Sequence, residues 1–176
     1  MIWEQNAQAI VMLTKCKEHG RVTCGRYWPE ATEPMYYGYL KVQVLETTSS
    51  DDWIVSRFML VKGNQGRTMT HFQYLAWPDL GVPKNTMSLV AFVRLVRRSL
   101  DVQKAPLVVH CNTGAGRSGT FVAVDRLLQH IMKHDWVDIY HTVHEMLQHR
   151  HQLVQTEVRP LATYFVYCPL ESLCLK

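Results

Sequence analysis

Cys111 and Arg117 stand six positions apart, with Gly114 and Gly116 between them, in the run Val108-Val109-His110-Cys111-Asn112-Thr113-Gly114-Ala115-Gly116-Arg117-Ser118-Gly119-Thr120. An apolar strand that passes through a glycine-bearing turn into a helix can aim successive backbone N–H groups at one point. The helix N-terminus adds its partial positive charge there. Glycines relieve the steric conflicts of so tight a curve. Arg117 supplies a planar two-pronged donor that matches phosphate oxygens. A cysteine inside such an anion cradle is held toward thiolate, the nucleophilic form. Keeping it mostly ionised at neutral pH requires a downward shift of about 2 units, or about 3 kcal/mol. The loop N–H groups, Arg117 and the Ser118 hydroxyl are the available sources. A Walker-type phosphate loop places lysine here and carries no nucleophile. Cys111 alone reads equally well as a buried thiol at a strand end. The combination with His110, Gly114, Gly116 and Arg117 is what argues for chemistry.

A second piece lies upstream, in Tyr74-Leu75-Ala76-Trp77-Pro78-Asp79-Leu80-Gly81-Val82-Pro83. By itself Pro-Asp-x-Gly is a turn over a packed tryptophan. Beside Cys111, Asp79 becomes a carboxylic acid on a movable loop, able to protonate a leaving-group oxygen. Trp77 and the two prolines make that loop a hinged plate. Six of the nine histidines fall between His130 and His151. The pairs His130/His134 and His141/His144 have helical spacing, but no cysteine or carboxylate completes a recognisable set, so a solvated helix face is expected and no metal. Arg94, Arg97 and Arg98 read as a polar helix face with a favourable contact to the helix C-terminus.

The elements that must position these residues change period halfway along the chain. Residues 9–13 and 21–24 are short strand candidates, residues 38–45 alternate, 47–52 form a polar turn, and 53–61 and 68–75 follow as strands. Helical spacing then governs 88–100, 119–133, 137–149 and a fourth stretch at 164–173, with a short buried strand at 107–109 between the first two. A strand-rich half followed by a helical half predicts an α+β or mixed α/β architecture.

Composition narrows the class further. The chain has 176 residues, 47% of them apolar, which fits one globular domain with a real core. A net charge of +4 without any dense Lys/Arg run favours anionic partners but not nucleic acid. No apolar run approaches a membrane span or a signal peptide. Five cysteines (Cys16, Cys24, Cys111, Cys168 and Cys174) with no Cys-x-x-Cys argue against a disulfide framework and point to a reducing, cytoplasmic setting.

His110-Cys111, five residues, then Arg117-Ser118, together with Trp77-Pro78-Asp79, resembles the protein tyrosine phosphatase family. The similarity extends to Tyr27-Trp28-Pro29, to residues 1–13 and to Val154-Gln155-Thr156-Glu157, so it covers nearly the whole chain. The resemblance implies a twisted mixed central sheet flanked by helices. It also implies hydrolysis of phosphotyrosine in proteins through a phosphocysteine intermediate. By position, Cys111 would attack phosphorus, Arg117 would hold the equatorial oxygens and Asp79 would protonate the tyrosyl oxygen. Ser118 would stabilise the departing thiolate, Gln155 would place the hydrolytic water and His110 would help set the cysteine pKa. Asn112, Thr113, Gly114, Ala115 and Gly116 would line the substrate phosphate with Arg117 and Asp79. The implied partners are phosphotyrosine-containing proteins, and no metal or organic cofactor is implied.

Departures accompany the match. Family domains begin upstream of residue 1, so residues 1–176 are expected to be a catalytic domain lacking its N-terminal part, including a tyrosine-bearing recognition loop, with weak activity as the consequence. Asn112-Thr113 replace a usual Ser-Ala, Leu147 replaces an arginine that supports the loop, and Arg159 with Pro160-Leu161-Ala162 interrupts the glutamine segment. The alternatives are a catalytically impaired phosphotyrosine-binding or decoy domain and a fragment without a stable fold.

Overall fold

The computed structural model of the chain describes residues 1–30, 33–79, 81, 83, 85–100, 105–134 and 136–154. Its first strand, β1 (Ala9–Met12), contains no polar residue, and all four side chains are buried. That is the pattern of a strand covered on both faces. Ala9 and Val11 join a core under the helices, while Ile10 joins a second cluster with Val42, Phe58, Leu60 and Met69 on the opposite face. The short strands β2 (Lys17–Glu18) and β3 (Arg21–Val22) pair with each other in a separate two-stranded sheet. Between them His19 and Gly20 both take positive φ, 46° and 75°, the signature of a two-residue type I′ turn.

Four strands follow, β4 (Met35–Tyr37), β5 (Leu40–Ser49), β6 (Trp53–Lys62) and β7 (Gln65–Tyr74), and they pair antiparallel in sequence order. The helix α1 (Thr86–Ser99), the strand β8 (Leu107–His110), and the helices α2 (Gly116–Ile131) and α3 (Ile139–His149) complete the described elements. The main sheet runs β4-β5-β6-β7-β1-β8. Within it β1 lies parallel to both β7 and β8. The architecture is therefore the mixed α+β fold expected from the sequence.

Hydrophobic faces hold the helices to the sheet. On α1, Leu89, Val90, Phe92, Val93 and Val96 are buried; on α2, Phe121, Ala123, Val124 and Leu127 are. The Phe92 ring meets Tyr74 at 4.9 Å, Phe121 at 6.1 Å and Phe72 at 6.5 Å, joining α1, α2 and the sheet in one aromatic knot. Each such side chain contributes roughly 1.5–3 kcal/mol by leaving water. Asn85 Oδ1 accepts the Ser88 N–H and caps α1; Asp138 Oδ1 accepts the His141 N–H and caps α3. No helix of the described residues is long and apolar enough to cross a membrane.

Several boundaries differ from those read off the pattern. Residues 47–49 do not form a turn: they continue β5 and pair with Ser56, Val55 and Ile54. Polarity suggested a loop there, yet Thr47 and Thr48 are β-branched and the hairpin simply extends beyond the core. The strand expected at 21–24 ends at Val22, because the Thr23 and Cys24 N–H groups both turn to the Cys16 carbonyl, at 2.9 and 3.3 Å. Helix α2 starts at Gly116, three residues earlier than Gly119, so its first turn contains Arg117 and Ser118. The fourth helical stretch, 164–173, lies outside the described residues.

Arg97 is also more than a dipole contact. Its guanidinium pairs two-pronged with Asp125 of α2, whose side chain is only 9% exposed against 32% for Arg97. Removing the arginine strands a buried carboxylate, whereas removing the carboxylate leaves a cation that reaches water. Arg97→Ala is therefore expected to cost about 3 kcal/mol in urea unfolding and Asp125→Ala distinctly less. Equal losses would mean that the pair is not desolvated.

Candidate active site

At the end of β8 the chain leaves the sheet, turns through residues 111–115 and enters α2. Gly114 takes φ 68°, a left-handed conformation, and a Cβ placed on it would stand 3.2 Å from a guanidinium nitrogen of Arg150. The left-handed φ favours glycine, while the flexible Arg150 side chain could yield to a Cβ. The Gly114 N–H donates to Cys111 Sγ at 3.2 Å. Cys111 itself is buried. Burial alone would raise its thiol pKa, but the Ser118 hydroxyl and the N–H groups of Ser118, Gly114 and Ala115 outweigh it, and the pKa falls below the ordinary value. Ser118 Oγ is buried and makes no hydrogen bond among the described residues. Asn112 and Thr113 lie exposed at the loop tip. The early start of α2 explains why Ser118 contributes: it sits in the first helical turn, where N–H groups have no partner within the helix.

Behind the cysteine lies a polar chain through the sheet. Tyr27 Oη is 2.5 Å from His110 Nε2 and 2.9 Å from His71 Nε2. A single hydroxyl donates once, so it donates to one imidazole and accepts from the other. His110 Nδ1 lies 3.4 Å from the Cys111 carbonyl oxygen, which assigns that nitrogen the proton. Tyr27 then donates to His110 and accepts from His71. Burial, and secondarily His110, pushes His71 down to about 3, so it is neutral at physiological pH. Burial also lowers His110 and raises Tyr27.

Arg117 does not stand open to solvent. Its two terminal nitrogens meet Glu18 Oε1 at 2.6 Å and Oε2 at 2.9 Å, a fork-to-fork pair. The same nitrogens reach the carbonyl oxygens of Leu13 at 3.2 Å, Pro78 at 3.2 Å and Asp79 at 3.3 Å. Glu18 is held in turn by the Thr14 hydroxyl at 2.9 Å and the Lys15 N–H at 3.2 Å. Its burial would raise the carboxyl pKa, but Arg117, Thr14 and Lys15 together hold it below the usual carboxylate range. Asp79 sits at the opening of the same region. Its Oδ2 accepts the His19 backbone N–H at 2.9 Å and lies 3.7 Å from His19 Nε2. Trp77 is buried beneath this loop, donates from its indole to the Gly81 carbonyl at 3.1 Å and lies under the Arg117 guanidinium at 5.9 Å. A thiol ringed by N–H donors thus lies beside a helix start whose arginine grips the backbone of the loop that carries Asp79, an arrangement suited to holding an anion such as phosphate.

The family model described as Protein-tyrosine phosphatase matches residues 1–167. The chain belongs to the protein tyrosine phosphatase family. It is 40% identical over 156 residues to human "Phosphatidylinositol phosphatase PTPRQ", covering 88% of this chain and 7% of that protein. It is 38% identical over 161 residues to mouse "Receptor-type tyrosine-protein phosphatase eta", covering 89% and 13%. To human "Receptor-type tyrosine-protein phosphatase H" it is 37% identical over 163 residues, covering 90% and 15%. The chain thus spans a small part of the length of each of these relatives.

Within this phosphatase-family chain, the structure gathers His110, Cys111, Gly114, Ala115, Gly116, Arg117, Ser118 and Asp79 at one place. Gln155 lies outside the described residues, as do Arg159 and the segment 160–162. Val154, immediately before Gln155, is buried, and its N–H points to the Ala115 carbonyl at 3.4 Å. Leu147 packs against the main apolar core. Glu18, His19, His71 and Arg150 were not singled out by sequence, and Tyr27 only as part of Tyr27-Trp28-Pro29. Glu18 carried one available signal, a lone acid between lysines and His-Gly, and that is too common to select. At the start of the histidine-rich segment His130, His134 and Trp136 form an aromatic cluster, with the two imidazoles 4.4 Å apart and Trp136 edge-on 4.6 Å from His130. Among the described residues no group of three or more histidine, cysteine or acidic side chains is placed to hold a metal ion.

Two outcomes test this geometry. Ser118→Ala removes a donor facing Sγ, so the midpoint of the pH dependence of Cys111 alkylation should move upward; an unmoved midpoint would exclude the hydroxyl as a source of acidity. Glu18→Gln should cost about 3 kcal/mol at pH 7 by breaking a buried pair. A carboxyl with a lowered folded-state pKa contributes stability above its unfolded value, near 4.5, and loses it as pH falls through the folded value. The gap between wild type and Glu18→Gln in denaturant unfolding should therefore narrow below pH 4.5.

Proposed function

We infer that this chain hydrolyses phosphotyrosine in proteins through a phosphocysteine intermediate. The observation that carries the reading is the buried Cys111 at the start of α2, with the Gly114 N–H 3.2 Å from its Sγ and Arg117 in the helical turn that follows. The thiolate attacks phosphorus as the bond to the tyrosyl oxygen breaks, and Asp79 gives that oxygen its proton. Arg117 and the N–H groups of residues 112–117 hold the three equatorial oxygens, whose charge they match better as the transition state forms. For Arg117 this requires exchanging the Pro78 and Asp79 carbonyls for phosphate oxygens while Glu18 keeps the guanidinium plane in place. A water molecule then attacks phosphorus, the sulfur–phosphorus bond breaks, and the water proton passes to Asp79. Ser118 stabilises the thiolate that departs, His110 keeps the Cys111 carbonyl turned away from the cradle, and Gln155 places the water. No metal or organic cofactor enters these steps.

A second reading is supported by the name of one relative, a phosphatidylinositol phosphatase in human and rat. The same steps act on an inositol phosphate, whose alkoxide leaving group needs the Asp79 proton even more. A short-chain phosphoinositide assayed beside a phosphotyrosyl peptide separates the two by their kcat/KM values. Under either reading, Cys111→Ser should abolish turnover while phosphate-analogue binding persists, because serine is a poor nucleophile here and the donors remain. Asp79→Ala should lose roughly 10²–10⁴ in kcat with a phosphotyrosyl peptide and much less with an aryl phosphate whose phenol is strongly acidic. Wild-type protein that binds the peptide but fails to turn over either substrate would establish the decoy alternative instead.

A further inference from the structure

Three of the eight tyrosines, Tyr36, Tyr37 and Tyr39, fall within four positions at the free edge of the main sheet. Their side chains are 66%, 46% and 91% exposed. The other described tyrosines are engaged: Tyr27 and Tyr74 are hydrogen-bonded to His110 and Ser88, and Tyr140 stacks on His144 along α3. Strand β4 pairs with β5 through three residues and has no neighbour on its outer side, so one row of its N–H and C=O groups is open. Edge strands are usually guarded by a charge, a proline or a bulge. Here Pro34 stops short of the tyrosines, and none of residues 35–37 is charged.

The three phenols do not stand alike. Gly38, at φ 58°, and Tyr39 make the two-residue turn into β5, so Tyr39 is held in a tight bend. Tyr37 pairs with Leu40 and lines an apolar hollow with Val42 and Phe58. Tyr36 lies on the opposite face, in extended backbone, across from Lys41. Cβ atoms of such a pair stand about 4.5–5.5 Å apart, so a phosphate on Tyr36 gains an ammonium across the strand. Glu33 and Glu30, three and six positions before Tyr36, are exposed, and Glu30 has Arg26 as its partner. An accessible strand with acids upstream is a shape and charge that a basic substrate groove can take by adding to its open edge. We propose that Tyr36 is a phosphorylation site for a tyrosine kinase with such a groove, and that phosphorylated Tyr36 is a substrate for Cys111 of a second copy of this chain. In the kinase the Tyr36 oxygen attacks the γ-phosphorus of ATP, the bond to the β,γ-bridging oxygen breaks, ADP leaves and the phenolic proton passes to a kinase carboxylate. Removal follows the phosphocysteine steps given above and rests on that reading. It has to occur between copies: β4 and β8 are the two edges of the sheet, five strand spacings or about 24 Å apart, and Cys111 follows β8.

The test starts from Cys111→Ser protein, which keeps any phosphate it receives, incubated with ATP and the catalytic domain of a tyrosine kinase that prefers acidic substrates. Tandem mass spectrometry should place most of the phosphate on Tyr36. Tyr36→Phe, which removes one exposed hydroxyl, should cut incorporation about fivefold or more at an unchanged melting temperature. No incorporation at Tyr36, phosphate confined to Tyr37 or Tyr39, or equal incorporation in Tyr36→Phe would overturn the site. Wild-type protein added to the phosphorylated Cys111→Ser chain should clear Tyr36. Wild type phosphorylated in the presence of vanadate and then desalted should lose its own phosphate with a half-life about tenfold longer after tenfold dilution. A half-life independent of concentration would overturn the exchange between copies. So would a Tyr36 phosphate left intact by wild type that turns over a phosphotyrosyl peptide. Wild type that turns over neither sinks the phosphocysteine reading and the removal step with it, while the mapping still decides the kinase site.

Discussion

The pair between Arg117 and Glu18 ties together four segments that are distant in the chain. Arg117 comes from the first turn of α2, Glu18 from β2, and the remaining partners from the end of β1 and from the loop that carries Asp79. Both side chains are largely out of water, at 16% and 7% exposure. Removing two charges from water costs several kcal/mol per ion, and a pair recovers this only with good geometry and further hydrogen bonds. Here the further bonds come from Thr14, Lys15, Leu13, Pro78 and Asp79. The interaction is better understood as orientation than as net stability. It fixes the plane of a guanidinium whose fork, in the proposed reaction, meets phosphate oxygens, and a fork displaced by an ångström would lose that match.

The sulfur depends on the same economy of polar groups in a dry place. Burial disfavours a thiolate, and in an apolar pocket Cys111 would be inert. The donors that reverse this exist because a helix begins at Gly116, leaving N–H groups without partners inside the helix. Gly114 permits the curve in which its own N–H and that of Ala115 face the sulfur. Beneath, the Phe72, Tyr74, Phe92 and Phe121 cluster fixes α2 against the sheet, so the direction of its N-terminus follows from apolar packing. The aromatic core and the acidity of the cysteine are in this sense one problem, since an axis that tilts would carry its N–H groups away from Sγ.

The directed chain from His71 through Tyr27 to His110 supplies a second restraint from the opposite side of the sheet. Polar groups buried among Trp28, Phe58 and Met12 need partners, and these three satisfy one another. Because Tyr27 has one proton to give, the network has a direction, and it ends on the backbone of Cys111.

Legibility followed sequence distance. The cradle was readable because Cys111, Gly114, Gly116, Arg117 and Ser118 act within eight consecutive positions, where chain geometry alone decides what a curved backbone and a helix start can do. Trp77-Pro78-Asp79 was readable as a turn, and its relation to the cradle came from resemblance rather than from spacing. The strand at 9–13 was readable as an unbroken apolar run, and the strand at 53–61 and the helix at 88–100 because one face of each is apolar at the right period. What the pattern missed was decided at long range. Glu18 meets Arg117 across 99 positions, Tyr27 meets His110 across 83, and Thr47 to Ser49 stay in a strand because a partner strand is there to pair with them. A lone glutamate, tyrosine or histidine carries no periodicity, so its role exists only once the sheet has brought its partner within 3 Å. By itself the sequence determined the cysteine at the strand end, the curve around it and the apolar faces. Only the tertiary structure decided which carboxylate holds the arginine, which turn meets the acid loop and how far the helix start reaches, because each is a contact between segments that local propensity does not join.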